Sequence, residues 1–145
     1  MKVREIKVVY SDHEDKSITV NNSKIVHEVA LAHWDMNIIE FQEEVKIMLL
    51  NRANAVLGIY DLSKGGVASS HVDIKIILSI ALKGHASAIV LLHNHPSGKL
   101  VPSRSDKHLT SKLKEACELV DLVLLDHLIV TKDSFYSFKD NKNIL

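Results

Sequence analysis

Residues 86–106 read Ala86-Ser87-Ala88-Ile89-Val90-Leu91-Leu92-His93-Asn94-His95-Pro96-Ser97-Gly98-Lys99-Leu100-Val101-Pro102-Ser103-Arg104-Ser105-Asp106. The apolar run from Ala86 to Leu92 has the length of a strand and no polar alternation, the mark of a central strand covered on both faces. His93 stands at its carboxyl end, where open α/β sheets place their chemistry. Pro96 and Pro102 then restrict the backbone, and Gly98 permits a turn between them, before a helix expected from about Ser103 to Leu119. In extended chain residues i and i+2 point to the same side, so His93 and His95 can reach one ion. Ser103 and Asp106, in the first helical turn, share a face, and a carboxylate there is favoured by the helix dipole. Two histidines, a carboxylate and an open fourth position are the pattern of catalytic rather than structural zinc. His93, His95 and Asp106 are therefore the expected zinc ligands, and their spacing points to a metallohydrolase.

Working outward, the predicted order from Glu43 is strand, strand, helix, strand, helix, strand, strand. Val45 to Leu50 and Ala55 to Tyr60 make a hairpin joined near Asn51-Arg52-Ala53-Asn54, and Gly65-Gly66 makes a turn. Asp73 to Lys83 is apolar nearly all round, which predicts a deeply buried helix closed by Gly84. Leu122 to Val130 and Phe135 to Phe138 supply the closing strands. Upstream, Ile6 to Tyr10 and Ile18 to Val20 read as short strands separated by a polar turn, Ser11 to Lys16. Asn21-Asn22-Ser23 offers N-cap residues to an amphipathic helix carrying Ile25, Val26, Val29, Ala30 and Trp34 and ending near Asp35. The expected organisation is an N-terminal extension over residues 1–36 and one main domain over 37–145.

The chain has 145 residues, enough to bury roughly 68% of its unfolded surface without disulfides. Its 18 Lys plus Arg balance 18 Asp plus Glu, so no global field draws it to nucleic acid or a membrane. No segment has the length of a membrane span, and the charged start Met1-Lys2-Val3-Arg4-Glu5 is unlike a signal peptide. A single cysteine fits a reducing cytosol, so a soluble cytoplasmic protein is the expectation. Cys117 follows Leu109, Leu113 and Ala116 on a helical apolar stripe and reads as core rather than as a nucleophile.

The His93–Asp106 passage resembles the JAMM (MPN+) metalloprotease motif, and specifically its RadC branch, with His-Asn-His-Pro-Ser-Gly and then Pro-Ser-x-x-Asp. The likeness continues through Leu109-Thr110, Glu115-Ala116 and Asp126-His127-Leu128-Ile129 to Tyr136-Ser137-Phe138, and spans Asn37 to Asp140. It implies the JAB/MPN fold, a cytidine-deaminase-like α/β/α arrangement around a central mixed β-sheet, with Zn2+ held by His93, His95 and Asp106. It also implies an upstream glutamate acting as general base, for which Glu43 fits best and Glu44 is the neighbour in reserve. In that scheme Glu43 moves a proton from water to the leaving amine, Ser103 donates to the oxyanion, and the substrate is a peptide or isopeptide. Two departures stand out. Position 94 is Asn, where deubiquitinating members have Ser or Thr, and Ala68-Ser69-Ser70-His71 replaces a Gly-Thr common before the buried helix. No counterpart of the helix-hairpin-helix region with which full-length RadC proteins begin is expected within these residues.

His127 reads either as a partner of a zinc ligand or as a histidine packed between Leu125 and Leu128. His13, His27, His33, His71, His85 and His108 have no partner spacing and are expected at the surface. Two other functions compete. One is a DNA-repair-associated nucleic-acid-binding protein using Arg104, Lys107, Lys112 and Lys114, a basic face that Glu115 and Glu118 dilute. Filter binding at low and physiological salt tests it. The other is a non-catalytic MPN scaffold, against which stands the complete set His93, His95, Ser103 and Asp106.

Overall fold

Strand parity sorts this chain into two cores. In the computed structural model, which describes residues 1–10, 18–65 and 72–145, a five-stranded sheet is covered on both faces by helices. In chain order the elements are α1 (Ser23–Ala32), β1 (Glu44–Leu50), β2 (Val56–Lys64), α2 (Ile74–Lys83), β3 (Ala88–Asn94), α3 (Arg104–Leu119), β4 (Val123–Val130) and β5 (Phe135–Ser137). The sheet order is β2-β1-β3-β4-β5. β3 and β4 pair in parallel across the α3 crossover, while the other neighbours are antiparallel, so the sheet is mixed. This is an α/β fold with the seven elements after Glu43 in the predicted order.

Met48 and Leu50 of β1 and Val90 and Leu92 of β3 pack with Val26, Val29, Ala30 and Trp34 on the α1 side. Val45, Ile47 and Leu49, with Ile89 and Leu91, pack on the opposite side against Ile77 and Ala81 of α2 and Leu113 and Cys117 of α3. Both β1 and β3 are buried along their whole length, as the unbroken apolar run of β3 requires. Asn22 caps α1 by accepting from the Ile25 amide at 2.9 Å. The helix ends at Ala32, ahead of the predicted Asp35, because Asp35 starts the next turn by accepting from the Ile38 and Ile39 amides.

Three expectations at the periphery need correcting. Ile6 to Tyr10 forms no strand among the described residues; its alternation favours extended chain, but no sheet edge pairs with it. Ile18 to Val20 contributes a single antiparallel bridge, Thr19 opposite Ala55, rather than a full strand. α2 is not deeply buried: Ile76 is 45% and Leu82 46% exposed, because composition cannot reveal that helix's one covered face. Gly84 closes α2 as expected, as its C-cap with right-handed φ of −76°, and the left-handed residue is His85 at φ 54°. Gly84 is needed for space, since a Cβ there would meet Leu49 Cδ1 at 2.7 Å and Tyr10 Oη at 3.0 Å. The predicted turn at Ser11 to Lys16 and the Gly66 half of the Gly65-Gly66 turn lie outside the described residues.

Cys117 is a core residue, as its stripe predicts. Burial pushes its thiol up to about 11, and Glu118 adds to the effect. Native protein is expected to resist iodoacetamide at about pH 8 and to react once unfolded in urea. Labelling of native protein at the rate of free cysteine would contradict this placement.

Candidate metal centre

β1 and β3 run antiparallel with Val45 opposite His93, so Glu43 and His95 meet just beyond the end of that ladder. Alternation along each strand does the rest. Glu43, Val45, Leu91 and His93 line the α2–α3 side, whereas Glu44 and Asn94 turn to the other face. Ligand atoms of Glu43, His93 and His95 lie within 4.8 Å of one another. α3 delivers the fourth group: Asp106 Oδ1 is 3.2 Å from His93 Nε2, and Oδ2 is 3.3 Å from His95 Nε2.

Asp106 is aimed by its own helix cap. Ser103 Oγ accepts from the Asp106 amide at 3.0 Å, and Asp106 Oδ2 accepts in return from the Ser103 amide at 2.8 Å, a capping box. The Ser103 hydroxyl sits beside the ligand it helps to hold, and Ser105 rather than Ser103 lines the cleft.

The electrostatics are those of a cation site. His93 Nε2, His95 Nε2 and the two Asp106 oxygens face one another, with the two nitrogens 2.9 Å apart. His95 Nδ1 donates to the Lys99 carbonyl at 2.8 Å, so the neutral ring presents a bare lone pair at Nε2. Lone pairs crowded this closely are tolerable only with a cation, or with protons shared among them. Burial would lower the His95 pKa, but the Asp106 carboxylate and the Lys99 carbonyl outweigh it and raise it. Burial likewise pushes Asp106 up, yet hydrogen bonds with His93 and His95 hold it well below the usual carboxylate range. Burial raises Glu43 despite the opposing pull of the two histidines. Two nitrogens and a carboxylate on three rigid attachments fit zinc or a similar divalent ion.

A cleft of about 870 Å³ opens from this centre between α2 and α3. Val45, Ile74, Leu78, Leu91 and Leu109 give it apolar walls, and Lys75, His108 and Lys112 stand among them. A smaller cleft of about 330 Å³, lined by His95, Ser97 and Ser134 among others, lies against the other side of His95.

Residues 12–143 match the RadC-like JAB domain family. The chain belongs to that family. It is 45% identical over 98 residues to a UPF0758 protein of Flavobacterium johnsoniae, covering 68% of this chain and 43% of the relative. Similar proteins of the same name occur in Streptococcus sanguinis (44% over 104 residues) and Streptococcus gordonii (41% over 104 residues). In each streptococcal case 72% of this chain aligns with 46% of the relative, so the chain spans less than half the length of these relatives.

Within this RadC-like domain two residues do more than their sequence context reveals. Asn94 is fully buried: its Nδ2 donates to the carbonyls of Ile39 (2.7 Å) and Gln42 (2.9 Å), and its Oδ1 accepts from the Glu44 amide at 2.7 Å. It therefore braces the chain on both sides of Glu43. Parity was the available signal: a residue between two ligand histidines on a strand must face the opposite, buried side. Asn94→Ala strands three backbone groups and is expected to cost about 3 kcal/mol in urea unfolding. A loss below 0.5 kcal/mol would show that the brace is dispensable.

His127 lies next to His93, with Nε2 2.7 Å from His93 Nδ1, and its ring stacks on Phe138 at 4.5 Å. It is both packed and partnered to an expected ligand. Glu44 pairs instead with Lys64 at 3.3 Å on the far face, which leaves Glu43 as the carboxylate at the centre. His33, His85 and His108 are exposed as expected, but His27 is buried, held by Thr131 O at 3.1 Å and by the Phe135 ring. His13 and the Ala68-Ser69-Ser70-His71 departure lie outside the described residues. Among the described residues no helix is long and apolar enough to cross a membrane.

Proposed function

We propose that this chain is a zinc-dependent metallohydrolase of the metallopeptidase or isopeptidase type. The observation that carries the reading is the convergence of Glu43, His93, His95 and Asp106 at the inner end of an open cleft. His93, His95 and Asp106 would hold the ion, which when bound supplies Lewis-acid activation of water and of the scissile carbonyl at neutral pH. Glu43 takes the proton of the attacking water on a carboxylate oxygen and delivers it to the leaving amine nitrogen. Ser103 Oγ accepts from the Asp106 amide but keeps its own proton, which it donates to the oxyanion developing on the carbonyl oxygen. The apolar cleft walls exclude water from the acyl side of a peptide or isopeptide, and the buried, lone Cys117 suits a reducing cytoplasmic setting.

The test is elemental analysis of tag-free protein, followed by a screen of peptide and isopeptide substrates. Binding of about one zinc per chain with amide hydrolysis is the expected result. Protein that stays metal-free when zinc is supplied overturns the reading.

A further inference from the structure

The hydrogen bonds behind His93 form a chain whose polarity is decided at its far end. Thr110 Oγ1 is 2.7 Å from the backbone carbonyl of Asp106, which can only accept, so the threonine proton is committed there. The same oxygen is 2.6 Å from His127 Nδ1 and must therefore accept, which puts a proton on Nδ1. The His127 ring is fully buried against Phe138 and touches no carboxylate among the described residues, so it carries one ring proton rather than two. Its Nε2 is then a bare acceptor, 2.7 Å from His93 Nδ1, and can be satisfied only by a proton on that atom. A neutral His93 ring therefore carries its proton on Nδ1 and turns its Nε2 lone pair toward His95 and Asp106.

We infer that His127 and Thr110 are positioning residues that lock His93 in its Nδ1–H tautomer and so present its Nε2 lone pair to the metal. The relay rests on the proposed metal site but is separable from it. It also closes on itself: the carbonyl that sets the polarity belongs to Asp106, whose side chain is the neighbouring ligand. His95 has the same tautomer fixed in one step by the Lys99 carbonyl. Two ligands that stand two residues apart at the end of β3 are thus set by two backbone carbonyls, one direct and one through two side chains.

Two readouts test this. Long-range ¹H–¹⁵N NMR of metal-free protein is expected to show His93 protonated at Nδ1; an Nε2–H tautomer overturns the inference whatever the metal does. Chelator competition then compares zinc affinity in wild type, His127→Phe, His127→Gln and Thr110→Val. Phenylalanine keeps the stack on Phe138 but offers no acceptor, and is expected to weaken zinc binding 10–100-fold, roughly the loss seen when such outer partners are removed. Glutamine can accept from His93 and donate to Thr110, and is expected to recover most of that affinity. Thr110→Val is the milder probe should the phenylalanine variant not fold, and is expected to weaken binding and loosen the tautomer together. Wild-type affinity in the phenylalanine or valine variant overturns the relay. Wild type that binds no zinc overturns the metal reading instead, and the His93 tautomer alone then decides the relay.

Discussion

Glu43→Gln is expected to lower amide hydrolysis by about 10²–10⁴-fold while leaving zinc content unchanged. Glutamine matches glutamate in size and shape, so the packing around position 43 survives, but a carboxamide cannot take a proton from water. Glu43 is 8% exposed, and burial raises its pKa against the opposing pull of His93 and His95. Turnover and zinc content, measured on the same preparation, separate its possible roles. Retained turnover rejects Glu43 as the base. Loss of zinc makes it a ligand instead, which its position within 4.8 Å of both histidines sterically allows.

The double variant His93→Ala/Asp106→Ala is expected to bind no zinc under conditions in which wild type is loaded. It removes two of the three proposed ligands from two different elements, β3 and α3, so neither can substitute for the other. The Asp106 change also opens half of the capping box, a loss of about 1 kcal/mol in α3, which circular dichroism and urea unfolding should register as modest. A folded, zinc-free variant beside loaded wild type locates the centre. A folded variant with full zinc content would put the ion elsewhere.

Much of this was legible because local periodicity and spacing carried it. The apolar run of β3, the hairpin pattern of β1 and β2 and the helical stripe of α3 each predict their element. The positions of His93, His95 and Asp106 follow from strand parity and a capped helix start. What was not legible depends on register or coverage. Glu43, just ahead of β1, and Glu44, its first residue, differ only in which face of the sheet they take. The partners of Asn94 lie 50 to 55 residues away, and the His127 contact to His93 spans 34. α2 looks buried by composition yet leaves Ile76 and Leu82 in solvent, and His27 looks peripheral yet sits over Phe135.

The two faces of β1 and β3 act together as a ruler with a unit of one residue. Adding or deleting a single position in either strand would exchange Glu43 for Glu44, or His93 for Asn94, turning the ion's ligands toward α1 and the structural brace toward the cleft. Such a chain can drift in sequence but not in length along these strands. Tolerance of insertions should therefore be confined to its connections, such as the turn at Asn51 to Asn54.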